Sequence, residues 1–142
     1  MKIRVFKQFP RTFWVANTME LFERWAWYGL FVVLAVYLTE SRDTGALGFS
    51  QSQKGFLMGT VVAILYFLPV FTGAIADRVG YKKVLILAYI ILSSGYFSMA
   101  YLESYSAVFL IFLFIAIGAA LFKPIVIATV SKTTTKENSS LG

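Results

Sequence analysis

The chain of 142 residues has no cysteine and no histidine, and only 14% of it is charged. The first absence excludes disulfides. The second means that any proton chemistry must run through carboxylates. An ordinary soluble domain is about a quarter charged, so a large solvated surface is also lacking. No nucleophile and base pair, no metal cluster and no cofactor loop is visible, so neither an enzyme nor a bound cofactor or metal is expected. What the chain has in excess is apolar sequence, at 58%. It is gathered into four runs over about 13–38, 55–76, 84–101 and 105–130. Each is near the roughly 20 residues that cross a bilayer as a helix, and a chain this short cannot bury four such helices on all sides. The fold class expected is all-α, an integral membrane bundle of four transmembrane helices.

The net charge of +6 does not indicate nucleic acid, because the basic residues sit between the apolar runs. Lys2, Arg4, Lys7 and Arg11 precede the first run, Arg78, Lys82 and Lys83 divide the second from the third, and Lys132 and Lys136 follow the fourth. On the other side stand Arg42 and Lys54 alone, balanced by Glu40 and Asp43. Cytoplasmic loops carry the excess of Lys and Arg, which places both ends of the chain in the cytoplasm and agrees with four spans. A cleaved signal peptide is not expected: the first run is long and charged, and no small-residue cleavage site follows Leu38.

Within this plan, Ser50 is placed to cap the second helix, and Pro69 should bend it. Gly55 and Gly59 form a small-xxx-small pair that permits close helix contact. The link Asp77–Lys83 makes the second and third helices antiparallel neighbours, and a still shorter link around Glu103 joins the third to the fourth.

Two cations, Arg24 and Lys123, fall inside apolar runs, and so do Glu20 and Glu23. If the first helix entered hydrocarbon only at Trp25, about 14 residues would remain before Thr39, too few to span. Glu20, Glu23 and Arg24 are therefore inside, where such residues face a bundle interior or water-filled cavity and pair. Glu20 and Arg24 stand at i,i+4 and can pair, and Tyr28 continues their face. Glu23 lies about 60° away. Lys123 lies at a matching depth, about 13–14 Å along its helix from the flanking charge. It either pairs with Glu23 or snorkels toward the headgroups. Gly118, Ala119 and Ala120 would let another helix approach closely. Trp25 and Trp27 suit packing or an interface better than a ligand cage. A glutamate in this setting is opposed by burial and supported by nearby cations. A substrate anion that took those cations would leave the glutamate to bind a proton, which links the two events.

The stretch from Gly73 through Asp77, Arg78 and Gly80 to Lys82 and Lys83 resembles the signature loop between helices two and three of the major facilitator superfamily. Glu20-x-x-Glu23-Arg24-Trp-x-Trp-Tyr28-Gly29 narrows this, being similar to the E-x-x-E-R-F-x-Y-Y-G motif of proton-dependent oligopeptide transporters. Lys123-Pro124 matches their Lys-Pro pair, Pro10 fits upstream, and Tyr66 falls where they have a substrate-contacting tyrosine. The resemblance implies proton coupling at Glu20 and Glu23, and substrate contacts at Arg24, Tyr28, Tyr66 and Lys123. It also implies gating by the loop residues Gly73, Asp77, Arg78, Gly80, Lys82 and Lys83. Departures are Trp25 for Phe, Trp27 for Tyr, Ala119 and Ala120 for glycines, and Ile127 for a common serine.

By that resemblance the partners are protons, a di- or tripeptide or other small zwitterion or anion, the lipid bilayer and the remaining transporter helices, with no nucleic acid. The location implied is the plasma membrane, or the inner membrane of a bacterium. Such transporters use inverted three-helix repeats, so the chain is expected to be the front of a longer protein, ending one helix into its second repeat. The alternatives are a superfamily transporter for another solute, a small homodimeric four-helix proton-coupled exporter, and a non-transporting scaffold. Arg24 beside the glutamates disfavours an exporter of cations.

Overall fold

The computed structural model describes residues 9–134. Lys2, Arg4, Lys7, Lys136 and the Asn138–Gly142 segment lie outside the described residues. Within them the chain is helical, without strands: α1 (Arg11–Tyr37), a 3-10 turn (Arg42–Thr44), α2 (Gln51–Phe67), α3 (Pro69–Val79), α4 (Tyr81–Met99) and α5 (Tyr105–Thr133). Ser50 caps α2 as expected, its hydroxyl accepting from the Gln53 N–H while Gln53 returns a bond to the Ser50 N–H. That capping box starts the helix at Gln51, four residues before the expected Gly55. Pro69 breaks the second apolar run into α2 and α3 with a 44° bend, because its ring removes one backbone donor and crowds the preceding turn.

The links also differ from expectation. A single residue, Gly80, joins α3 to α4, rather than the Asp77–Lys83 segment. Its φ of 100° is a conformation that a residue with a Cβ rarely adopts. The link around Glu103 is the longer one, running from Ala100 to Ser104. Between α1 and α2 the loop folds back on the end of α1: the Leu47 and Phe49 N–H groups donate to the carbonyls of Tyr37 and Leu38.

α5 is the centre of the bundle, in contact with each of α1, α2, α3 and α4. One core cluster gathers Trp27, Leu34, Leu57, Val61, Leu92, Phe112, Ile115 and Ala119. The other gathers Ala16, Ala76, Val84, Ala88, Phe122 and Ile125. Small residues set the α4–α5 spacing, since a Cβ on Gly118 would lie 2.8 Å from Ile91 Cγ2 and one on Gly95 2.5 Å from Ile115 Cγ1. The close approach expected at Gly118, Ala119 and Ala120 is therefore present. It is not present at Gly55 and Gly59, which have nothing within 4 Å of an added Cβ.

Large apolar side chains such as Val32, Val33, Ile90, Phe97, Leu110 and Ile127 point outward, a surface that water would not tolerate in this quantity. α4 and α5 are each long and apolar enough to cross a membrane, and α2 with α3, bent by 44°, is so only when the two are taken together. α1 differs because no 18-residue stretch of it avoids Glu20, Glu23 and Arg24.

Candidate functional site

α1 presents Phe13, Ala16, Glu23, Trp27 and Leu34 to the bundle. Their spacing marks one face of a helix. The rotation is fixed by Trp27, which is buried and stacks on Phe112 of α5 with ring centroids 5.6 Å apart. One turn before Trp27, the same rotation turns Glu23 inward, leaving it 6% exposed. Arg24, one residue on, sits at the edge of that face and reaches back. Its Nε donates to Glu23 Oε2 at 2.7 Å, and Nη2 lies 2.6 Å from the same oxygen. The other oxygen, Oε1, is buried with no hydrogen-bond partner.

The expected Glu20–Arg24 pair is thus replaced by a Glu23–Arg24 pair. The inward stripe runs through Glu23 and Trp27, not through Glu20 and Tyr28. Among the described residues Glu20 makes no hydrogen bond or ion pair, and Tyr28 is exposed. Trp25 is exposed as well, so the two tryptophans separate into one core residue and one outward-facing one.

Lys123 is half-buried on α5. It forms no ion pair with Glu23; its Nζ lies over the ring of Tyr66, 4.5 Å from the centroid. Such a cation–π contact is worth about 0.5–2 kcal/mol, depending on desolvation. Lys123 still feels the charges of Arg24, Glu23 and Glu20. The structure therefore brings Glu23 to Arg24 and Lys123 to Tyr66, with the Glu20 charge within electrostatic reach of Glu23 and Lys123, and it does not bring Tyr28 into contact with them.

At the loop, Asp77 accepts a hydrogen bond from the Tyr81 hydroxyl at 2.5 Å. Lys132 of α5 donates to that hydroxyl at 3.1 Å and lies over the same ring. Arg78, Lys82 and Lys83 are exposed, and Gly73 faces Pro124, with 3.6 Å between an added Cβ and Pro124 Cβ. The sequence marks Lys132 only as a flanking charge and gives Tyr81 no role, although Asp77 and Tyr81 stand four residues apart. It gives Thr72 none either; that residue is buried and donates to the Ala120 carbonyl at 2.7 Å. A mostly apolar cavity of about 230 Å³ between α1, α4 and α5 has no ionised side chain in its wall.

The sequence matches the Major Facilitator Superfamily over residues 18–142. The chain belongs to that superfamily. Within it, the chain resembles the proton-dependent oligopeptide transporters. It is 34% identical over 127 residues to dipeptide and tripeptide permease A of Serratia proteamaculans, covering 87% of this chain and 24% of that protein. Against the Klebsiella pneumoniae permease A the identity is 35% over 125 residues, again 87% and 24%. Against dipeptide and tripeptide permease B of Salmonella typhimurium it is 36% over 119 residues, 82% and 23%. This superfamily chain spans about a quarter of the length of the curated relatives it matches. No solved structure matches it.

Proposed function

We propose that this chain is the front part of a proton-coupled transporter of small peptides or similar zwitterions. The observation that carries the reading is the arrangement at Glu23. Both guanidinium contacts from Arg24 converge on one carboxylate oxygen, and the other oxygen is buried and unpartnered. An orphaned buried acceptor costs about 1–3 kcal/mol, more when it carries charge, and a proton added there removes that charge. Protonated Glu23 holds Arg24 less strongly, since the attraction between two opposite charges is reduced to a hydrogen bond from the guanidinium to a neutral acid. The guanidinium is released to a substrate carboxylate. Lys123, held by a ring rather than by a carboxylate, offers a second cation, while Glu20 is free to meet a substrate amine. Tyr66, under Lys123, and the exposed Tyr28 are the substrate-contacting tyrosines in this reading. Proton binding and substrate binding then favour each other through Arg24.

The names of the similar proteins, dipeptide and tripeptide permeases, support a peptide as the solute. In this reading α1, α2 with α3, α4 and α5 are four spans in the plasma membrane, with the chain's start on the cytoplasmic side. Asp77, Arg78, Gly80, Lys82 and Lys83 form the gating loop there, with Gly73 behind it on α3. The charges of α1 are admitted because they pair and face the bundle.

Uptake of a labelled dipeptide by the full-length protein, driven by an inward proton gradient, tests this. Glu23→Gln and Lys123→Ala should each abolish gradient-driven uptake. If both variants take up the dipeptide as the parent does, the mechanism is wrong. If the parent ignores peptides but accumulates another small zwitterion or anion, the peptide assignment alone falls.

A further inference from the structure

Pro124 lies inside α5 and has no N–H to give to the carbonyl four residues earlier. That carbonyl belongs to Ala120, and the buried hydroxyl of Thr72 donates to it at 2.7 Å. The side chain thus replaces the backbone bond that the proline removes. The next residue of α3, Gly73, sits against the Pro124 ring. Lys123 occupies the same turn of α5, between the latched carbonyl and the proline. Its target, Tyr66, stands in the last turn of α2, just before the break at Pro69. The two interruptions, one in the second apolar run and one in the fourth, are therefore joined at one point.

We propose that Thr72 is a positioning residue for Lys123: by closing the gap that Pro124 leaves in α5, it fixes the turn that aims the ammonium at Tyr66. The role of Lys123 in transport rests on the reading above; the latch itself does not.

The test is a cycle on the detergent-solubilised full-length protein. The rate of Lys123 modification by an amine-reactive reagent is read by mass spectrometry, with the exposed Lys82 and Lys83 as internal references. Loss of one buried hydrogen bond should speed Lys123 labelling about fivefold or more in Thr72→Val, with the references unchanged. Thr72→Ser, which keeps the hydroxyl, should label as the parent. Pro124→Ala restores the backbone donor, so in that background Thr72→Val should have little effect. Equal effects in both backgrounds, or unchanged labelling in folded Thr72→Val, overturn the proposal. If Thr72→Val does not accumulate, the Thr72→Val/Pro124→Ala protein decides: recovery supports the latch, and failure to recover overturns it. Because labelling needs no solute, a protein that transports no peptide would still answer this question.

Discussion

Removing the guanidinium of Arg24 leaves the Glu23 carboxylate buried with no cation against it. Breaking a buried pair from one side costs about 3–5 kcal/mol. Arg24→Ala should therefore lower the thermal stability of the purified full-length protein strongly. Adding Glu23→Gln should recover part of that loss, because the stranded charge is gone. Equal stability of Arg24→Ala and the parent would show that the pair is not buried in the assembled protein. Three charges inside an apolar run are legible in the sequence, and the run length predicts that they lie within the membrane. Which glutamate faces inward is not legible. A rotation of about 60° exchanges Glu20 for Glu23, and that angle is set by the Trp27–Phe112 stack, a contact between residues far apart in the chain. Lys123 shows the same limit: its depth follows from counting, whereas its place over Tyr66 depends on the break at Pro69.

Helix termini were readable where a local signal exists. The Ser50–Gln53 capping box and the bend at Pro69 are both written in neighbouring residues. Glycines are legible only in part: Gly118, in a run of small residues, marks a close approach, but an isolated glycine gives no sign of what it faces. Gly55 and Gly59, spaced for contact, meet nothing, while Gly95 admits Ile115. Gly95→Ala forces a Cβ to within 2.5 Å of a branched side chain at the α4–α5 interface. Overpacking of this kind costs about 1–3 kcal/mol, and a thermal melt of the variant should fall accordingly. An unchanged melt would mean that α4 and α5 stand further apart at Gly95 than this contact requires.

For the molecule as a whole, the distribution of Lys and Arg predicts that residue 1 and the end of α5 lie on the same, cytoplasmic side of the membrane. Reporter fusions before Arg11 and after Thr133, active only in the cytoplasm, should both be active. Opposite readings would mean that one of the four runs, α1 being the charged one, does not cross. The apolar runs made the all-helical membrane class legible, because run length is a property of the sequence itself. That α5 contacts every other helix was not legible, since nothing in four apolar runs says which lies in the middle. This centrality has a consequence for biogenesis. α1 and α2 find their main partner in a helix that the ribosome has not begun until Tyr105. Trp27 has no Phe112 to stack on, and Thr72 no Ala120, while the first 104 residues are made. The early helices therefore lack most of their partners while they are made, and the bundle closes only when α5 arrives.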